Sequence, residues 1–264
     1  MDILRRNNVK VRGSGPRTLV FSHGYGCDQN MWRHVAPGFE DTHRVISFDH
    51  VGYGGSDVSA FDPKRLGDLR GYARDVLDVL EALDVRDTVF VGHSVSAMIG
   101  LLASNLAPER IAELVLVCPS PRYLDDDGYV GGFSRADIDG LLASLDENYL
   151  GWSRSMAPVI MGNPAHPELG QELTASFCRT HPAIASHFAK VTFLSDNRDD
   201  LPRTRARTLV LQCKEDVIAP LQVGQYVHQR IPGSRFVLLD ATGHCPNLSA
   251  PAEVIGAMKQ VLFA

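Results

Sequence analysis

Closely spaced cysteines are missing from this sequence. Its five, Cys27, Cys118, Cys178, Cys213 and Cys245, are odd in number and scattered along 264 residues. Neither a disulfide framework nor the spacing of a zinc or redox motif is present, so reduced, buried thiols are expected. Cys245 directly follows His244, but adjacent side chains rarely face each other productively, and no thiol nucleophile is expected there. Long apolar runs are missing too. None approaches the roughly 18 residues of a membrane helix, and Met1 to Asn8 lacks the apolar segment of a secretory signal, so a cytoplasmic protein without a membrane role is expected. Positive charge is not in excess: 26 Lys and Arg face 31 Asp and Glu, a net charge of -5, which argues against nucleic acid as a partner. The glycine-rich stretch Asp49–Asp57 lacks the spacing of a phosphate loop or dinucleotide fingerprint. No histidine or further carboxylate is spaced to complete a metal site around Asp125–Asp127. Neither a cofactor nor a metal is therefore expected.

What is present is an alternation. Strand-like runs recur at Thr18–Ser22, Arg44–Phe48, Thr88–Val91, Leu114–Val117, Thr208–Leu211 and Phe236–Leu239. Helical patterns lie between several of them, at Leu69–Leu83, Ala97–Ala107, Leu221–Arg230 and Ala252–Leu262. Strands alternating with helices predict an α/β fold, a mostly parallel twisted sheet flanked by helices. Ile3–Val11 is expected to add an antiparallel edge strand. The alternation stops between Tyr123 and Asn197, where Arg135–Leu145, Glu147–Met156, Glu168–Arg179 and Pro182–Phe193 read as helices. About 75 residues are too many for a loop. The expected organisation is a core of residues 1–122 and 198–264, with residues 123–197 forming a helical cap.

One junction carries the chemistry. Val89–Val91 suits a buried strand and Ala97–Leu106 a helix, with Ser94 at the corner after Gly92. A sharp strand-to-helix turn there lifts the hydroxyl clear of the sheet as a nucleophile elbow does. A serine needs a base, and the base an orienting acid. His244 follows the last strand run, and Asp216 follows Thr208–Cys213, giving the order Ser, Asp, His that this architecture uses. Asp216 is preferred to Glu215 because it lies nearer the next helix. The backbone N–H groups of Val95 and of Tyr25, in His23–Gly26, are the expected oxyanion donors.

The segments Gly92–Gly100, Pro119–Tyr123, Gly131–Phe133 and Gly243–Pro246 resemble the RsbQ-type α/β-hydrolases, which join a bacterial stress regulator with the plant karrikin and strigolactone receptors. The resemblance runs from about Val20 to Ala264; Ser96 stands where the common elbow has glycine. It implies an α/β-hydrolase fold with a four-helix, V-shaped cap between the sixth and seventh strands, and the triad Ser94, Asp216 and His244. By matched position it implies a chamber lined by Tyr25, Tyr123, Phe133, Leu142, Trp152, Met156, Phe193, Val217 and Ile218.

Two functions follow as expectations. One is a cofactor-free serine hydrolase of small apolar esters or lactones such as butenolides. The other is a slow-turnover ligand receptor whose partner, by resemblance to the bacterial branch, is a PAS-domain phosphatase.

Overall fold

Successive residues of a strand point to opposite faces. In this chain Leu19 and Phe21 enter one hydrophobic cluster while Val20 enters another, all three fully buried. A sheet covered on both sides is what such uninterrupted apolar strands require. The computed structural model describes residues 2–262; Met1, Phe263 and Ala264 of the expected core lie outside them. Seven strands are β1 (Lys10–Arg12), β2 (Arg17–Ser22), β3 (His43–Phe48), β4 (Thr88–His93), β5 (Ile111–Val117), β6 (Arg207–Glu215) and β7 (Arg235–Thr242). They lie in the order β1-β3-β2-β4-β5-β6-β7, with β1 antiparallel to β3 and every other pair parallel.

That order reverses at β2, which is flanked by β3 on one side and β4 on the other. In an open parallel sheet, ligands bind beyond the carboxyl ends of the strands at such a switch point. The register aligns those ends: Ser22 pairs with Gly92, His93 with Val117, Val117 with Leu211, and Glu215 with Thr242. The loops that follow β2, β4, β6 and β7 therefore emerge side by side.

The helices are α1 (Ile3–Arg6), α2 (Leu69–Ala82), α3 (Val95–Leu106), α4 (Arg135–Met161), α5 (Pro167–Arg179), α6 (Pro182–Phe193), α7 (Leu221–Arg230), α8 (Pro246–Ser249) and α9 (Pro251–Leu262). The expected strand over Ile3–Val11 is mostly absent. Asp2 accepts the Leu4 N–H and starts a helical turn, leaving only Lys10–Arg12 to pair with β3. With seven strands described, the α4–α6 insertion falls between the fifth and sixth strands rather than the sixth and seventh.

α4 opens on a capping box, Ser134 with Asp137. It breaks at Asn148, whose φ of -152° and ψ of 79° are not helical. The Asn148 Oδ1 accepts the Gly151 N–H at 2.9 Å and so caps a second helical segment. The element thus holds two helices, and with α5 and α6 it makes four. The second segment continues past the expected end at Met156, through Pro158, to Gly162 in the left-handed conformation (φ 63°). Pro167 and Pro182 occupy the first turns of α5 and α6, where a missing N–H costs nothing. These helices are tied down: Ser176 Oγ donates to Gly26 O at 2.9 Å, Arg179 pairs with Asp28 at 3.0 Å, and the Phe188 ring stacks on Tyr72 at 4.4 Å.

Candidate active site

Ser94 sits between β4 and α3 with φ 58° and ψ -125°, a conformation that strains a residue with a side chain. Its neighbours must give way. A Cβ on Gly92 would lie 2.3 Å from the Ser96 carbonyl oxygen, and one on Gly24 2.6 Å from the His93 ring. The Ser94 N–H donates to Val117 O at 2.8 Å, anchoring the turn to β5. The residue is 5% exposed.

From the loop after β7, His244 brings its Nε2 to 2.7 Å from Ser94 Oγ, and its Nδ1 to 2.7 Å from Asp216 Oδ2. The histidine loop is held because Gly243 N–H donates to Glu215 O at 2.7 Å and His244 N–H to Ile160 O at 2.9 Å. Asp216 Oδ1 accepts the N–H groups of Ile218 and Ala219 at 2.8 and 3.0 Å. Burial alone would raise the Asp216 pKa, but the nearby His244 and these N–H donors outweigh it and hold the carboxyl below its ordinary value. An ionised carboxylate only accepts, so Nδ1 carries the imidazole proton and Nε2 is left to accept the serine's.

A second serine–histidine contact exists, Ser22 Oγ to His50 Nε2 at 3.1 Å, next to Asp49. It cannot act as the same relay. Ser22 donates to Ser96 Oγ and Ser96 to His23 O, so His50 Nε2 must itself donate to these hydroxyls, and His50 Nδ1 has no hydrogen-bond partner among the described residues. Asp49 spends its carboxylate on Gln29 N, Gly55 N and Asn8 Nδ2. Ser22 is fully buried beneath the elbow. This network fixes the loop of Tyr25: His50 N–H donates to His23 Nε2 at 3.0 Å, and His23 Nδ1 then donates to Gly24 O at 2.9 Å. Val95 opens α3, where helix N–H groups lack intrahelical partners.

Above Ser94 lies a cavity of about 130 Å³. Tyr25, Tyr123, Phe133, Trp152, Met156, Phe193, Val217 and Ile218 line it. Leu142 does not. Leu141 takes that place on the wall, and Leu142, about 100° further round α4, packs half-buried against the core. Tyr25, Trp152, Phe177 and Phe193 form one aromatic group, the Trp152 and Phe177 rings nearly parallel at 5.9 Å. With Ser94 and His244 at its floor, the cavity can hold a small carbonyl compound against a hydroxyl that has a base.

A sequence profile of the alpha/beta hydrolase family matches residues 19–257. The chain belongs to that family. It is 39% identical over 250 residues to karrikin insensitive 2 receptor CA of Petunia hybrida, covering 94% of this chain and 93% of that protein. It is 35% identical over 262 residues to strigolactone esterase D14 of Arabidopsis thaliana, covering 99% and 98%. Its fold is similar to that of a hydrolase from Oleispira antarctica, with a TM-score of 0.96 and 41% identity over 99% of this chain and 96% of that one.

The chain also places residues in the wall that sequence reasoning missed. His93, the residue before Ser94, lines the cavity, and its Nε2 donates to His244 O at 2.7 Å. Burial, and then the neighbouring His244, push its pKa down to about 3, so it stays neutral. Its place inside the elbow motif was the available signal. Phe177, Leu173 and Ile160 come from α5 and the second half of α4, and no motif marks them. Cys245 lines the cavity as an inert group, because burial raises its thiol well above the ordinary value. All five cysteines are free. Among the described residues no helix is long and apolar enough to cross a membrane.

Proposed function

We propose that the chain is a cofactor-free serine hydrolase of small, apolar esters and lactones, with residues 123–197 acting as a cap over a core of residues 1–122 and 198–264. The observation that carries this reading is the Asp216–His244–Ser94 relay, with both contacts at 2.7 Å, at the floor of an apolar cavity. In the proposed cycle Ser94 Oγ attacks the carbonyl carbon while His244 Nε2 takes its proton. The N–H groups of Tyr25 and Val95 hold the oxyanion. Collapse breaks the ester bond, and His244 returns the proton to the leaving alcohol or enol. His244 then deprotonates water, which attacks the acyl carbon, and the acid leaves as Ser94 regains its hydrogen.

Size narrows the substrate. An apolar cavity of about 150 Å³ binds benzene, so 130 Å³ suits one five- or six-membered ring, such as a butenolide. A reducing, cytoplasmic setting fits five free cysteines.

A second reading is favoured by the likeness to a protein named a karrikin receptor: a slow hydrolase that reports ligand occupancy. The RsbQ-like loops extend it to a PAS-domain phosphatase partner. Turnover of a simple butenolide, measured beside the thermal shift it causes, separates the two. Multiple turnovers at about 1 per second or faster support the enzyme. Fewer than about one per minute, with ligand-induced destabilisation, supports the receptor. No turnover by wild-type protein of either a butenolide or p-nitrophenyl acetate contradicts the hydrolase reading.

A further inference from the structure

The base follows a glycine. Gly243 has φ 87°, in the left-handed region, and a Cβ there would lie 1.8 Å from the Met161 carbonyl oxygen. Glycine is the freest residue in backbone conformation, so hydrogen bonds must set where His244 sits. Its N–H donates to Ile160 O of α4 at 2.9 Å, and its carbonyl accepts from His93 Nε2 at 2.7 Å. The first bond comes from the helical insertion, the second from the residue that precedes the nucleophile. His93 ends β4 and pairs with Val117 on β5, so its backbone is fixed by the sheet. Its buried ring lies 5.0 Å from the His244 ring. The same ring packs against the loop of Tyr25: a Cβ on Gly24 would come within 2.6 Å of His93 Nδ1. Burial, and then the neighbouring His244, keep the ring neutral. Its one proton is on Nε2, where the carbonyl needs a donor, and Nδ1 has no hydrogen-bond partner among the described residues. No like charge on His93 therefore opposes the imidazolium that forms when His244 takes the Ser94 proton.

We propose that His93 is a positioning residue: its Nε2–H fixes the carbonyl of His244, and its ring spaces the base loop from the Gly24–Tyr25 loop. His93 exchanges no proton with the substrate. It acts through His244, whose Nε2 it keeps 2.7 Å from Ser94 Oγ while Nδ1 stays 2.7 Å from Asp216. Without that bond the base is free to swing on Gly243, and a displacement of about 1 Å at a reacting group costs about 10²-fold in rate. The rate effect rests on the proposed hydrolase reading; the hold on His244 does not.

Three variants of the full chain test the hold. His93→Leu fills the site without a donor, His93→Asn carries an amide too short to reach the His244 carbonyl, and His93→Gln brings an amide N–H close to the position of Nε2. The readouts are turnover of p-nitrophenyl acetate and the low-field proton NMR signal of His244 Nδ1–H, which its bond to Asp216 shelters from exchange. His93→Leu is expected to lower kcat at least about tenfold with KM within about twofold of wild type, and to lose the low-field signal. His93→Gln restores the signal and recovers at least about fivefold in kcat over His93→Leu. Should leucine unfold the chain, His93→Asn gives the same readout. A merely structural role would lower the melting temperature of every variant yet leave kcat per folded chain and the signal in place. A folded His93→Leu or His93→Asn protein that keeps the wild-type kcat or the signal overturns the proposal, as does a folded His93→Gln protein as slow as His93→Leu. Absent esterase activity in wild type would count against the hydrolase reading, while the signal still decides whether His93 holds His244.

Discussion

Replacing Asp216 by asparagine changes one atom of the relay and tests its logic. The carboxylate has two duties that its two oxygens divide. Oδ1 accepts the Ile218 and Ala219 N–H groups and shapes the turn, while Oδ2 faces His244 Nδ1 at 2.7 Å. An asparagine keeps the first through its carbonyl oxygen. At the second position it presents an NH₂ group, which can only donate, so the imidazole must accept there and carry its proton on Nε2. Ser94 Oγ, 2.7 Å from Nε2, then has no base. The same change in serine proteases lowers kcat by roughly 10⁴-fold, about 5.5 kcal/mol of barrier. The loss of one charge-assisted bond costs stability about 1–3 kcal/mol, so the variant stays folded. Turnover of p-nitrophenyl acetate, followed beside a thermal melt, checks this. Asp216→Asn is expected to melt within about 10 °C of wild type and to lose at least about 10³-fold in kcat. A folded Asp216→Asn protein within tenfold of the wild-type kcat would refute the tautomer argument.

Three further outcomes follow from the same geometry. Ser22→Ala removes a hydroxyl from the network beneath the elbow, so it should lower stability by about 1–3 kcal/mol in urea melts yet leave esterase kcat within about threefold; a loss like that of Ser94→Ala would shift the relay to Ser22 and His50. Burial lowers the His93 pKa from 6.5 to about 3 in the fold, so the unfolded chain takes up the proton first and stability is lost as pH falls below about 6.5. At about pH 4.5 that amounts to about 2–3 kcal/mol; urea melts of His93→Gln should show a pH 7 to 4.5 loss smaller by about that amount, and an unchanged loss would contradict it. The 130 Å³ cavity should make p-nitrophenyl octanoate a poorer substrate than the butyrate by at least about fivefold in kcat/KM, since overpacking costs about 1–3 kcal/mol; equal values would mean the wall gives way.

Ser94, Asp216 and His244 were legible because each stands at a strand's carboxyl end, and strand ends are marked by apolar runs meeting glycine or polar turns. The parallel register of β4 to β7 then brings these residues together, and parallel register follows from the alternation itself. Other features depend on geometry the sequence carries only weakly. Leu141 and Leu142 are equally apolar, and which one faces the cavity is set by a helical phase shift of about 100°. The break in α4 falls at Asn148 rather than at Asp146 because its side chain can cap Gly151, a choice between two polar residues. The N-terminal edge strand shortened because Asp2 caps a helical turn, and a local hydrogen bond prevailed over β-propensity in Ile3 and Leu4.

Hydrolysis through this relay requires that Ser94 become covalently acylated. Intact-protein mass spectrometry during p-nitrophenyl butyrate turnover, followed by peptide mapping, measures it directly. One acyl group per chain on the peptide containing Ser94 is expected, with a matching burst of p-nitrophenol, and neither in Ser94→Ala. An adduct on another residue, or Ser94→Ala turning over within tenfold of wild type, would contradict it.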